Sequence, residues 1–194
     1  GMQEWGMVKV VDSTFREHHA YNAFPTIAHV NTEEPHRPPS ARMAADGDLV
    51  LVDLGCRVDG YCSDMTRMVP NQVSGERREL LDAVATIQEE VMERVEAGRE
   101  KAELARFAED RADALGYDVD EHYLHSLGHG VGVAIHERPM LTPSSEGVLE
   151  EGMVVTIEPG LYVPDVGGVR IEDQVVVREE GCERLTQAPR IYDR

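Results

Sequence analysis

Lysine is nearly missing from this 194-residue chain: only Lys9 and Lys101 occur, and all other basic residues are arginines. The 19 basic side chains face 37 Asp and Glu, for a formal net charge of −18. A surface of that sign repels phosphate backbones and anionic lipid, which argues against nucleic-acid and membrane partners. Low lysine with high acid also suits a salty medium, where self-repulsion is screened. Long apolar runs are missing too. None approaches the roughly 18 residues that a membrane span needs. The start, GMQEWGMVKVV, has neither the basic region nor the apolar stretch of a secretory signal. Cysteine is scarce. Cys56, Cys62 and Cys182 form an odd set with no CxxC pair. Cys56 and Cys62 are near enough in sequence to meet across a strand pair, but reduced thiols in the cytoplasm are the simpler expectation.

What is present is enough for a folded core. Apolar residues make up 41% and charged residues 29%, the balance of an ordinary globular chain, and the length suits one domain. No repeat stands out. Residues 1–23 show no sustained period and are not expected to be helical. Residues 24–40 are rich in His, Pro and Asn and read as strand and loop. GDLVLVDLGCRVDGYCSDMTRM (47–68) is apolar and β-branched, turns at Asp59-Gly60 and alternates again, the pattern of a β-hairpin. Residues 74–100 predict a helix. Ser74 is placed to cap it, Leu80, Leu81, Val84, Ile87, Val91 and Val95 make one stripe, and Gly98 is its expected stop. A second helix over 101–115 ends at Gly116. A His- and Gly-rich stretch (122–136), a Pro-marked loop (139–152) and the strand-like runs MVVTIEPGLYV, GVRIEDQVVV and CERLT complete the chain. Strands, then helices, then strands again predict an α+β fold on a mostly antiparallel sheet.

The residues fit for chemistry sit in unusual places. Asp53 lies inside the apolar run LVLVDLG, where a carboxylate is costly unless it is paired or bound to a metal. Asp64 lies across the expected turn from it. HSLGHGVGVAIHE supplies His125, His129 and His136, with His129 flanked by glycines that let backbone come close. Glu158 ends a strand ahead of a Pro-Gly turn, and Glu172 follows in GVRIEDQVVV. Four carboxylates and one imidazole (Asp53, Asp64, Glu158, Glu172, His129) form an oxygen-rich donor set. It suits Mn, Co, Fe or Zn better than a thiolate zinc site. Five donors are many for one catalytic ion, but they suit two ions about 3.5–4 Å apart. Arg170, two residues before Glu172, should share its sheet face, either to tether a ligand carboxylate or to balance the acidic cluster.

VDLGCRVDGYCSDMTR, GHGVG, HERP, IEPG and GVRIEDQVVV resemble, in order and spacing, the catalytic domain of the pita-bread metallopeptidases. That group includes methionine aminopeptidases, Xaa-Pro aminopeptidases, Xaa-Pro dipeptidases and creatinase. The resemblance covers Phe24 to Thr186 and is closest to the Xaa-Pro branch. It implies a curved, mostly antiparallel sheet covered by helices. It also implies two divalent ions, Mn or Co before Zn or Fe, on Asp53, Asp64, His129, Glu158 and Glu172, with Asp64 and Glu172 bridging. It places His36 in the active site rather than His29, lines the substrate site with His125 and His136, and makes Glu158 the proton shuttle. His36 and His136 would steady the scissile carbonyl. The expected activity is hydrolysis of Xaa-Pro peptide bonds, as aminopeptidase or prolidase. The alternatives are a pita-bread binding module without catalysis and a hydrolase like creatinase or methionine aminopeptidase.

One departure from the family pattern is large. Its catalytic domains carry two more helices before the segment matching Phe24, and here only 23 residues precede it. The expected organisation is therefore a short N-terminal segment (1–23) and an N-terminally truncated catalytic domain (24–194). One sheet face would lack cover, which favours a homo-oligomer. A more open site would take Xaa-Pro-Yaa peptides as well as Xaa-Pro.

Overall fold

The protein is described by a computed structural model that covers residues 1–192; Asp193 and Arg194, where the expected domain ends, lie outside the described residues. Residues near the start are helical after all, as α1 (Glu4–Glu17). Its only buried residue is Glu4, so no apolar stripe announces it. An ion pair anchors it instead. The Glu4 carboxylate accepts from Arg37, from the Val30 amide (2.8 Å) and from the amide and hydroxyl of Ser40 (both 2.7 Å). Two strands follow, β1 (Tyr21–Asn22) and β2 (Ile27–Val30).

The expected hairpin is present and split in two. β3 (Leu49–Leu54) and β6 (Met65–Pro70) pair along their length, and between them β4 (Cys56–Val58) pairs with β5 (Tyr61–Cys62). Asp59 (φ 50°) and Gly60 (φ 90°) both take left-handed backbone at the tip, as a two-residue hairpin turn requires. Gly55 sits where the strands cross: a Cβ there would lie 2.2 Å from the Ser63 carbonyl oxygen and 2.5 Å from the Phe24 ring. The three cysteines are free.

Helix α2 (Glu76–Met92) buries the predicted stripe, but stops six residues short of Gly98. Its end tightens, with the Arg94 and Val95 amides reaching back three residues to Val91 and Met92. Val95 stays buried, and Gly98 instead donates to the Leu149 carbonyl. α3 (Lys101–Ala114) matches the second expected helix, and a single turn, α4 (Val119–His122), follows. β7 (Gly128–Gly130) pairs with β8 (Glu137–Leu141), a strand that the sequence assigned in part to a loop because of Pro139. β8 is an edge strand, where a missing N–H costs little. β9 (Val154–Ile157), β10 (Gly160–Val163), β11 (Gly167–Arg170), β12 (Asp173–Val177) and β13 (Cys182–Arg184) complete the chain.

The main sheet runs β13-β12-β9-β7-β8, and β2-β3-β6 forms a second. Every strand pair among the described residues is antiparallel. Leu80, Val84, Ile87 and Val91 of α2 pack with Leu104 and Ala108 of α3 against Val155, Ile157, Val169 and Val175 of the strands. This layer of helices covers one side of the strands and leaves the other side to carry polar groups. No described helix is long and apolar enough to cross a membrane.

Burial pushes the Glu4 carboxyl up, but Arg37, the two amides and the Ser40 hydroxyl outweigh it and hold the group at about 2, below its ordinary 4.5. The folded value is depressed, so this stabilisation is complete above pH 4.5 and is lost as pH falls toward 2. Replacing Glu4→Ala strands a partly buried arginine and should cost about 3 kcal/mol in urea unfolding. Glu4→Gln should flatten the acid side of the stability profile, which unfolding midpoints measured across that window would check.

Candidate metal centre

The hairpin brings Asp53 and Asp64 into one cleft. They are not directly opposite: Asp53 pairs with Thr66, two residues beyond Asp64, so the hairpin's irregular centre rather than simple register brings the carboxylates together. The cleft has a volume of about 640 Å³, and its lining includes all five predicted donors, Asp53, Asp64, His129, Glu158 and Glu172. Oxygens of Asp64 and Glu172 and a ring nitrogen of His129 all lie within 4.8 Å of one another.

His129 stands on β7 between glycines for a steric reason. A Cβ at Gly128 would lie 2.0 Å from the Thr156 carbonyl oxygen. Its Nδ1 lies 3.1 Å from the Gly130 carbonyl, which can only accept, so Nδ1 carries the proton and Nε2 faces the carboxylates. Nε2 is 3.2 Å from Glu158 Oε1 and 3.6 Å from Asp64 Oδ2. The Thr156 hydroxyl donates to Glu158 Oε1 (2.9 Å) and accepts from the His129 amide (3.0 Å).

Arg170 and Glu172 are each 2% exposed, so the charged face of GVRIEDQVVV points inward. All three guanidinium nitrogens of Arg170 are engaged. Nε donates to Thr66 Oγ1 (3.1 Å), Nη1 to the Tyr162 hydroxyl (2.6 Å) and Nη2 to Asp53 Oδ2 (2.5 Å). Thr66 in turn donates to Glu172 Oε2 (2.8 Å). Of the two roles the sequence allowed Arg170, these contacts correspond to balancing the acidic cluster.

The remaining predicted residues take different positions. His36 and His136 line the cleft. His136 packs its ring 4.4 Å from that of His129. His125 stands behind the lining, its Nδ1 on the Ser126 carbonyl (2.9 Å) and its Nε2 accepting from Tyr162 (3.1 Å). Its ring is 6.4 Å from that of His36. His29 is buried in β2, bonded to the Arg37 carbonyl at 2.7 Å.

Sequence reasoning missed the residues that hold the donors. Tyr162 joins His125 to Arg170, and Thr66 and Thr156 orient Glu172 and Glu158. The signal for Thr66 was its place two residues after Asp64, on the same strand face. Asp173 and Arg67 were missed as well. Arg67 Nη1 donates to the carbonyls of Glu172 (2.5 Å) and Thr66 (2.9 Å), and Nη2 to Asp173 Oδ1 (2.8 Å). Asp173 also accepts from Gln88, Thr186 and Arg190. This clasp fixes the backbone on which Glu172 stands.

The charges are out of balance. Burial, then the neighbouring Asp53 and Glu158, push the Asp64 carboxyl up to about 8. Burial also raises Asp53, despite Arg170, and raises Glu172 well above the carboxylate range with Asp64 as the next cause. Asp53 Oδ1 and Glu172 Oε1 are buried without a hydrogen-bond partner. Two orphaned carboxylate oxygens in the cleft, with Glu172 clustered with Asp64 and a His129 nitrogen, fit a divalent cation, which would replace protons on the cluster. The donor set of carboxylates with one imidazole suits a hard to borderline ion.

An antiparallel sheet with helices on one side and a carboxylate-histidine centre on the other defines a pita-bread protein. Solved structures share this architecture. The X-Pro aminopeptidase of Thermotoga maritima MSB8 superposes with a TM-score of 0.94 at 35% identity, over 100% of this chain and 56% of that one. The prolidase of Pyrococcus furiosus gives 0.92 at 38% identity, over 98% of this chain and 57% of that one. The Xaa-Pro dipeptidase of Pyrococcus furiosus is 42% identical over 160 residues, 80% of this chain and 44% of that protein. The profile of metallopeptidase family M24 matches residues 1–179, and the chain belongs to that family. It spans a little under half the length of the curated relatives it matches.

Asp64→Ala should abolish metal binding by at least one equivalent and nearly all activity, whereas His125→Ala should keep its metal. Metal content per chain, measured by plasma emission on dialysed protein, separates them. Equal metal loss in both variants would show that His125 supports the donors as strongly as Asp64 does.

Proposed function

We propose that this chain is the catalytic unit of an exopeptidase that hydrolyses Xaa-Pro bonds at a centre of two divalent ions, Mn or Co before Zn or Fe. The observation that carries this proposal is the convergence of Asp53, Asp64, His129, Glu158 and Glu172 in one cleft, with two buried carboxylate oxygens left without partners. Residues 24–194 form the catalytic domain, and the short N-terminal segment supplies one wall of its cleft through α1. When bound, such ions supply a Lewis acid for the scissile carbonyl and lower the pKa of an attacking water. Asp53, Asp64, His129, Glu158 and Glu172 would hold them.

The side chains do the rest. Burial works to raise the Glu158 carboxyl, but the His129 bond and the nearby His125 keep it below its ordinary value, so it stands as a carboxylate at neutral pH. In that form it takes a proton from the attacking water and returns it to the leaving amine. Burial, then the neighbouring His129, hold His136 neutral. His136, with one N–H to give, hydrogen-bonds the carbonyl oxygen as charge develops on it, and His36, in the same lining, is a second donor to it. His125 supports the substrate side through Tyr162, and Arg170 holds Asp53 in place.

Substrate length follows from the cations in the cleft. A strict dipeptidase needs a free positive group for the substrate's C-terminal carboxylate. Arg170 is committed to Asp53, Tyr162 and Thr66, and Arg37 to Glu4, Thr32 and Pro38. No other lysine or arginine lines the cleft among the described residues. The site therefore takes Xaa-Pro-Yaa at least as well as Xaa-Pro. The same proposal has the chain acting on small peptides in the cytoplasm as a homo-oligomer, without nucleic acid or membrane. The charge of −18 supports the exclusion of nucleic acid and anionic membrane, and the free thiols support a reducing compartment.

Dialysed protein should gain Ala-Pro and Ala-Pro-Ala hydrolysis on adding Mn or Co, and lose it to a chelator. Turnover indifferent to chelation would sink the metal role, and a strict dipeptide preference would reveal a carboxylate clamp. Stoichiometric metal binding without turnover of any peptide would favour the binding module. Creatine hydrolysis or preferential release of Met from Met-Ala would favour the other branches.

A further inference from the structure

The cleft that holds the carboxylates is lined by apolar groups as well: Trp5 and Val8 of α1, Phe24 and Pro25 ahead of β2, and Pro38 and Pro39 after His36. Trp5 and Val8 are three residues apart and so share a helix face. Trp5 is 54% exposed. A lone exposed tryptophan needs no explanation. One that joins other apolar groups in lining the same concavity as a cluster of buried carboxylates marks a ligand subsite.

These apolar walls are held before any ligand arrives. Glu4, immediately before Trp5, and Arg37, immediately after His36, form the buried ion pair that ties α1 to the following loop. The Trp5 amide donates to the Ser40 carbonyl at 3.4 Å. Farther along the same helix, Asp12 accepts from Asn22 (2.7 Å) and Thr26 (2.9 Å), which fastens α1 to the Phe24–Pro25 wall. Pro38 and Pro39 have fixed φ and cannot fold away. A rigid aromatic wall costs little entropy on binding and reads the size of what lies on it.

We propose that Trp5 and Val8, with Pro38 and Pro39, form a subsite for a bulky apolar side chain on Xaa, and that Trp5 determines this specificity. The assignment to Xaa rests on the Xaa-Pro peptidase activity proposed above, because proline is common to all such substrates and only Xaa varies. Peptides with Leu, Met or Phe at Xaa are preferred over Gly. An acidic Xaa is disfavoured beside the carboxylates of the centre.

Trp5 is the single tryptophan of the chain, so its fluorescence reports on the subsite without catalysis. Titrating metal-free protein with Phe-Pro or Leu-Pro should give a saturable blue shift at concentrations where Gly-Pro gives none. In metal-loaded protein, the ratio of kcat/KM for Phe-Pro over Gly-Pro should fall about tenfold in Trp5→Ala and be largely rescued in Trp5→Phe. Circular dichroism of each variant checks that α1 remains folded. A selective blue shift in a protein that cleaves no peptide would support the subsite while the peptidase assignment failed. Equal shifts with Gly-Pro and Phe-Pro, or an unchanged ratio in folded Trp5→Ala, would overturn the proposal.

Discussion

Mutual repulsion among buried carboxylates is the constraint on which the rest of this structure depends. Asp53, Asp64, Glu158 and Glu172 share one small cleft, and their ordinary negative charges cannot coexist there unaided. Among the described residues, two positive partners reach them directly: Arg170 on Asp53, and His129 between Glu158 and Asp64. Burial, and after it the neighbouring carboxylates, displace Asp64 and Glu172 upward, and burial raises Asp53 despite Arg170. Folding therefore holds together a cluster that is short of positive charge. A protein gains from such an arrangement when a cation completes it, because binding then relieves repulsion that the fold has already imposed.

Holding the donors against that repulsion requires a stiff surround, and two polar devices provide it. Behind Glu172, Arg67 bridges backbone carbonyls of β6 and of the residue leading into β12, while Asp173 collects donors from α2 and the C-terminal segment. In front of the cleft, Glu4 and Arg37 fasten α1 to the loop that carries His36. Both devices bury charge, and both are satisfied by several hydrogen bonds, the condition under which buried ion pairs hold a geometry rather than weaken it. Threonines complete the pattern. Thr66 and Thr156 each orient a carboxylate with a short, stiff side chain that loses little entropy in doing so.

The apolar layer has a simpler part. The stripe of α2, the small residues of α3 and the inner faces of the strands bury one another. The cleft lining combines two chemistries, one of carboxylates and imidazoles, the other of tryptophan, phenylalanine and prolines. Such a division allows orientation and selectivity to be built separately, the first from charge and the second from shape.

Much of this was legible in the linear sequence. Hairpin, helices and late strands followed from apolar periods and turn residues, because those signals are local. The five donors were visible because ionisable residues stood where burial was evident, at Asp53 inside LVLVDLG and Glu172 inside GVRIEDQVVV. Helix α1 was illegible, since what anchors it is one glutamate meeting an arginine 33 positions away, and no apolar face records that. The end of α2 was misplaced because the chain turns on i−3 bonds before Gly98, which instead meets Leu149. The sequence by itself determined the hairpin, helices α2 and α3, the late strands, the buried stripe and the ionisable residues that stand in buried runs, all properties of residues and their near neighbours. Only the tertiary structure decided the commitment of Arg170 to Asp53 and Tyr162, the separation of His29 from the cleft that His36 lines, and the placing of Trp5 in the lining of that same cleft. Each of those depends on contacts between distant segments, and such contacts exist only once the whole chain has closed on itself.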